Sequence, residues 1–186
     1  KIRRQMTKPI ANYEIERRLL VTRIRGGIPA LQQLASKIIR MQQGYFEIAN
    51  PDSSFRVRIS DDSNAEITTK YGSGVKRRET PPEEGKININ LGRDLFGISH
   101  HQIYKSGHLL DNWGGWRVDV FDRELDGIVL AEIEIKHEDT PIEIPDLFEE
   151  YREVTDSLSN LHLARLATDL RGLGTAAMPF ISQGLL

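Results

Sequence analysis

A chain of 186 residues, 39% hydrophobic and 28% charged, is long enough to bury a real core as a single domain. Its net charge of −2 gives no global attraction for nucleic acid or an anionic membrane, so any electrostatic function must come from how the charges are placed. The lack of cysteine excludes a disulfide framework, thiolate catalysis and cysteine-type zinc sites, and suits a reducing, cytoplasmic setting.

In chain order, residues 1–11 read as a disordered basic leader. Strand-like alternation follows over Tyr13 to Thr22, Ile38 to Ile48, Phe55 to Ile59, Ala65 to Tyr71, Trp116 to Phe121 and Ile128 to Lys136. Turn residues separate these runs: "RGGIP", "NPDSS", "DDSN", "GSG", "NWGG" and "ELDG". Helices are expected over Pro29 to Lys37 and Leu91 to His101. A third is expected from Pro145, broken near Asp156, resuming through "SNLHLARLATDL" and ended by Gly172 and Gly174. Residues 172–186 read as a tail beyond a single domain over 12–171. The class is β-rich α+β with an antiparallel sheet, because hairpin-length turns dominate.

Side chains on a strand alternate between faces, which makes the charge pattern unusual. Glu14, Glu16 and Arg18 share one face against Ile15, Leu19 and Val21. Arg56 and Arg58 oppose Phe55, Val57 and Ile59; Glu66, Thr68 and Lys70 line up; Arg117 and Asp119 oppose Val118 and Val120; Glu132, Glu134 and Lys136 oppose Val129, Ala131, Ile133 and Ile135. For any single strand, a solvated face is the simpler account. Across the set the signs are segregated by strand, and like charges at i and i+2 repel unless a counter-ion lies between them. Paired arginines suit phosphate, and paired glutamates suit a hard divalent cation. A sheet that closes with this face inward makes a barrel with a polar lumen fitted to a polyphosphate.

Six segments in order resemble the CYTH superfamily, the triphosphate tunnel metalloenzymes: "YEIERRLLV", "QQGYF", "FRVRIS", "ITTKYGSGVKRRE", "VDVFDRELDGIVLAEIEI" and "EVTDSLSNLHLA". The resemblance implies a closed antiparallel eight-stranded β-barrel tunnel with helices packed outside. It implies a divalent-metal-dependent triphosphatase, using Mg2+ or Mn2+ on inorganic triphosphate or a small organic triphosphate. Carried over residue by residue, Glu14, Glu16, Asp119, Glu132 and Glu134 would hold the metal. Arg18, Arg56, Arg58, Lys70, Arg77 and Lys105 would bind substrate, with Glu14, Glu16 and Lys70 in the catalytic roles. The alternatives are a class IV adenylate cyclase and a tunnel that binds polyphosphate or a nucleotide without turnover. The partner is a triphosphate-bearing small molecule, with a homodimer allowed and neither nucleic acid nor membrane expected.

The chain departs from the family pattern around the same face. Arg18 replaces a lysine, and Gly107 stands where an arginine is expected in "IYKSGH". Arg117 stands where an acid is common, and Pro81 with Pro82 prevents a central strand from continuing. These changes would weaken activity. The histidines do not form a ligand set: His100 and His101 are adjacent, and His108, His137 and His162 lack a partner at ligand spacing. Trp113 and Trp116 read as packing residues.

Overall fold

The computed structural model describes residues 13–50, 53–72, 76–80 and 82–174; the expected leader and residues 175–186 of the expected tail lie outside them. The described strands are β1 (Tyr13–Ile24), β2 (Lys37–Phe46), β3 (Ser53–Ser60), β4 (Asn64–Tyr71), β5 (Lys76–Glu79), β6 (Lys86–Ile87), β7 (His101–Leu110), β8 (Trp116–Phe121), β9 (Val129–Glu134) and β10 (Phe148–Glu153). The helices are α1 (Gly27–Leu34), the single turn α2 (Pro82–Gly85), α3 (Ile89–Gly97) and α4 (Asn160–Leu173).

Eight strands close into an antiparallel barrel in the order β1-β5-β4-β3-β2-β7-β8-β9, with β9 returning to pair with β1. Strand β1 is longer than its neighbours. One edge pairs with β9 from Glu16 to Leu20, and the other pairs first with β5 and then with β10. Strand β5 stops at Glu79, before the two prolines; the chain turns through α2 and resumes as β6 against β4. The wall is therefore shortened and rerouted there. Its close approach demands Gly85, where a Cβ would lie 2.3 Å from the Ile67 carbonyl oxygen.

Two apolar layers hold the barrel. The outward faces of β1, β8 and β9 bury Leu19, Val21, Trp116, Val118 and Ala131 under Leu31 of α1 and the segment leading to Phe148. The Trp116 indole donates to the Glu143 carbonyl at 2.8 Å and meets Phe148 edge-on. The second layer lies on the inward face. Leu20, Leu130, Phe121, Ile103 and Tyr45 come two places along their strands from Arg18, Glu132, Asp119, Lys105 and Gln43, so they share the same side. They form a dry plug with Leu163, Ala164, Ala167 and Leu170 of α4, which packs against β7 and β2. Burying each leucine there contributes about 1.5–3 kcal/mol. Ser159 caps α4 by accepting from the His162 amide, and Gly174 ends it with φ 66°.

Three elements differ from expectation. The segment after Pro145 forms β10, not a helix: Phe148 and Tyr151 have helical spacing, but the unpaired edge of β1 offers a full ladder, reinforced by the bidentate Arg17–Glu153 pair at 2.5 Å. Helix α3 stops at Gly97 and His101 opens β7, which alternation alone did not mark. Helix α1 lies slightly earlier than Pro29 to Lys37, because Ala35 is already extended (φ −70°, ψ 127°). Among the described residues no helix is long and apolar enough to cross a membrane.

Candidate functional site: a charged barrel lumen

The barrel encloses a cavity of about 640 Å³ lined by side chains from β1, β3, β4, β8, β9 and the segment leading into α4. Of the residues singled out by sequence, Glu14, Glu16, Arg18, Arg56, Arg58, Lys70, Glu132 and Glu134 all line it. Strands β1 and β9 make the acidic wall, where register sets Glu16 directly opposite Glu134 and Arg18 opposite Glu132. Strands β3 and β4 bring Arg56, Arg58 and Lys70 into the same cavity.

Cations hold most of the acids. Lys70 pairs with Glu14 and lies 3.4 Å from Glu79. Arg18 pairs with Glu16, places Nε 3.3 Å from Glu132, and donates Nη1 to the carbonyls of Thr155 (2.9 Å) and Leu158 (3.2 Å). Arg117 pairs with Glu132 and sets Nε 3.4 Å from Asp119 Oδ1. Arg58 donates to Glu66 at 2.9 Å. Burial works to raise the Glu132 carboxyl, but Arg117, Lys105, Arg18 and Lys70 outweigh it and hold it well below the usual carboxylate range. Burial, with the repulsion of Glu14, moves Glu79 the other way, against Lys70 and Arg56.

The basic wall is unevenly compensated: Arg56 sets Nη2 3.7 Å from Glu79 Oε1, and Tyr45 with Glu79 outweighs burial to raise its guanidinium, whereas Arg58 is lowered. The buried Nε atoms of Arg56 and Arg58 have no hydrogen-bond partner. Burial, then the repulsion of Arg56 and Arg117, pulls the Arg58 guanidinium down to about 10, and Glu66 only partly offsets this. An unsatisfied buried donor costs about 1–3 kcal/mol.

Lys105 and Asp119 are placed differently. Their side chains are fully buried, pair with each other and do not line the cavity. Burial pulls the Lys105 ammonium down to about 8, against Asp119 and Glu132. The first residue of α4 links this pair to the lumen: Asn160 accepts from Lys105 at 2.7 Å and donates to Glu132 at 3.1 Å. Arg77 pairs with Glu14 in the backbone ladder, and its side chain lies outside the described residues. The lumen also takes in Tyr45, Glu66, Glu79, Arg117 and Asn160. Alternation already set Glu66 and Arg117 on charged faces. Nothing in the sequence marked the Asn160 amide as a bridge.

The donor set fits a hard divalent cation in kind, since Glu14, Glu16, Glu132 and Glu134 bring carboxylate oxygens to one cavity. Among the described residues, no three acidic or histidine side chains converge in a metal-holding group. The cause is visible: Glu14, Glu16 and Glu132 are turned onto Lys70, Arg18 and Arg117. The histidines take no part in such a set; His108 is buried against the Val118 carbonyl, and His101 bridges Glu47 and Thr168. Chemically, the cavity joins a carboxylate wall to a guanidinium wall, which suits a metal-chelated polyanion.

No curated protein matches the chain by sequence. Two solved structures of NE1496, described in one as a hypothetical protein and in the other as an inorganic triphosphatase, are each 24% identical with TM-score 0.52; they cover 81% of this chain and 97% and 93% of their own. A third, a putative adenylyl cyclase HpAC1 from Hippeastrum described as having a dominant triphosphatase activity, is 14% identical with TM-score 0.43 and covers 67% of this chain and 80% of its own. These similarities concern the barrel fold. The family model for the CYTH domain matches residues 12–169, most of the chain, and the protein belongs to the CYTH domain family.

Proposed function

We propose that the chain hydrolyses the terminal phosphate of inorganic triphosphate, or of a small organic triphosphate, held in the lumen with Mg2+ or Mn2+. The observation that carries this reading is the Arg56–Arg58 pair, with Arg58 lowered and both Nε atoms unpartnered, sharing one cavity with the carboxylates of β1 and β9. Family membership and the likeness to NE1496, itself described as an inorganic triphosphatase, support it.

Arg56 and Arg58 bind phosphate oxygens through their guanidinium groups, and Lys70 adds a compact charge beside them. Glu14, Glu16, Glu132 and Glu134 would hold the divalent cation, while Asp119, sealed against Lys105, stays behind the wall and supports it. A cation held there supplies charge neutralisation on the phosphate chain and activation of water. A carboxylate of the acidic wall orients the attacking water and takes up its proton. Arg18, fastened to the Thr155 and Leu158 carbonyls, fixes the Glu16 and Glu132 carboxylates.

A second reading, a tunnel that holds triphosphate without turnover, is favoured by the ion pairs that occupy Glu14, Glu16 and Glu132. Incubating the purified chain with Mg2+ or Mn2+ and a panel of triphosphates that includes ATP separates them. Free phosphate release is the expected result. Cyclic AMP from ATP would move the protein to the cyclase class, and tight binding without product would favour the second reading.

A further inference from the structure

Gly107 lies mid-strand on β7, buried on the inward face but outside the cavity lining, two places from Lys105 and opposite Asp119 of β8. An added Cβ would sit 2.7 Å from Met41 Cε, 3.0 Å from Asp119 Oδ1 and 3.5 Å from Arg117 Cδ. The Arg117 side chain, rising from β8, therefore runs beside the space that a residue at 107 would fill. Lys105 and Asp119 are sealed, but the Arg117 side chain keeps 29% of its surface exposed and lines the same cavity as Arg56 and Arg58.

Glu132 does not depend on Arg117 alone. It keeps Arg18 Nε at 3.3 Å and the Asn160 amide at 3.1 Å, so Glu132 stays partnered when the Arg117 guanidinium swings away, while Asp119, whose Oδ1 has no hydrogen bond, keeps Lys105 on its other oxygen. Arg117 disfavours the charge of Arg58; burial works to lower its own guanidinium, but Asp119 and Glu132 outweigh it and hold it above the ordinary value, so a phosphate competes with Glu132 for it.

We propose that Arg117 is a phosphate-binding residue of the lumen: β8 supplies a guanidinium where β7 carries Gly107. On arrival of a polyphosphate, Arg117 moves from Glu132 to the phosphate oxygens and joins Arg56 and Arg58. This assignment rests on the triphosphate reading of the same cavity.

The test is calorimetric titration with inorganic triphosphate, in EDTA and again in Mg2+, of the wild-type chain, Arg117→Ser and Arg117→Lys, with circular dichroism confirming the barrel in each. Arg117→Ser is expected to bind about tenfold or more weakly, the size of a lost charge-assisted contact. Arg117→Lys recovers part of the loss, because the charge returns without the planar fork. Wild-type affinity in Arg117→Ser would overturn the assignment. So would Arg117→Lys binding no tighter than Arg117→Ser, since a cation that reaches phosphate must be felt as charge. Failure of the wild-type chain to bind triphosphate would instead overturn the underlying reading of the cavity, and the role of Arg117 with it.

Discussion

At position 18 a guanidinium reaches farther than an ammonium: it spans Glu16, Glu132 and two carbonyls ahead of α4. Arg18→Lys keeps the charge and loses that fork. It is expected to cost about 1–3 kcal/mol in urea unfolding, the range for buried hydrogen bonds to a charged group; an unchanged midpoint would contradict the bracing role. Glu132 belongs to the same network, and the pH dependence has a definite sign. Its folded-state carboxyl is held below the ordinary value of 4.5, so its stabilisation is complete above that pH and is lost as pH falls below it. Unfolding free energies measured from pH 6 downward should therefore fall less steeply for Glu132→Gln than for the wild-type chain. Alternation placed most of these residues correctly because it reports which face a side chain occupies. It does not report depth along the barrel axis. That is why Lys105 and Asp119 share the inward face with Glu132 and yet sit sealed beneath Asn160.

Among the elements, β10 and α4 show where local pattern loses to tertiary context. Phe148 and Tyr151 are spaced for a helix, but the free edge of β1 converts the segment to a strand. The muted "KSGHLL" stretch of β7 carries too little alternation to announce a strand, though it pairs with both β2 and β8. Helix α4 was legible in "SNLHLARLATDL" and in the glycines that end it. Its place over the inward apolar layer was not, since only closure of the sheet creates that layer. Leu163 is fully buried in the plug, so Leu163→Ala is expected to destabilise the chain by about 2–5 kcal/mol in chemical denaturation. Ser159→Ala, which removes the helix cap, should cost about 1 kcal/mol in the same assay. A loss from Leu163→Ala no larger than that from Ser159→Ala would show that α4 is not part of the core.

At the scale of the whole molecule, closure turns five amphipathic strands into one cavity and brings opposite charges from distant segments face to face. The sign segregation that made the strands improbable as solvated faces becomes a division of labour, with carboxylates on β1 and β9 and guanidiniums on β3. The net charge of −2 said nothing of this, because the effect lies in placement. In the proposed function the basic wall receives a triphosphate and the acidic wall helps to cleave it. The most direct measurement is the rate of phosphate release from inorganic triphosphate with Mg2+, comparing the wild-type chain with the Arg56→Ala/Arg58→Ala double variant. Turnover by the wild-type chain is expected, with a fall of about 100-fold or more in kcat/KM for the variant, from two lost charge-assisted contacts. No release by the wild-type chain, or equal rates for the two proteins, would contradict the proposed function.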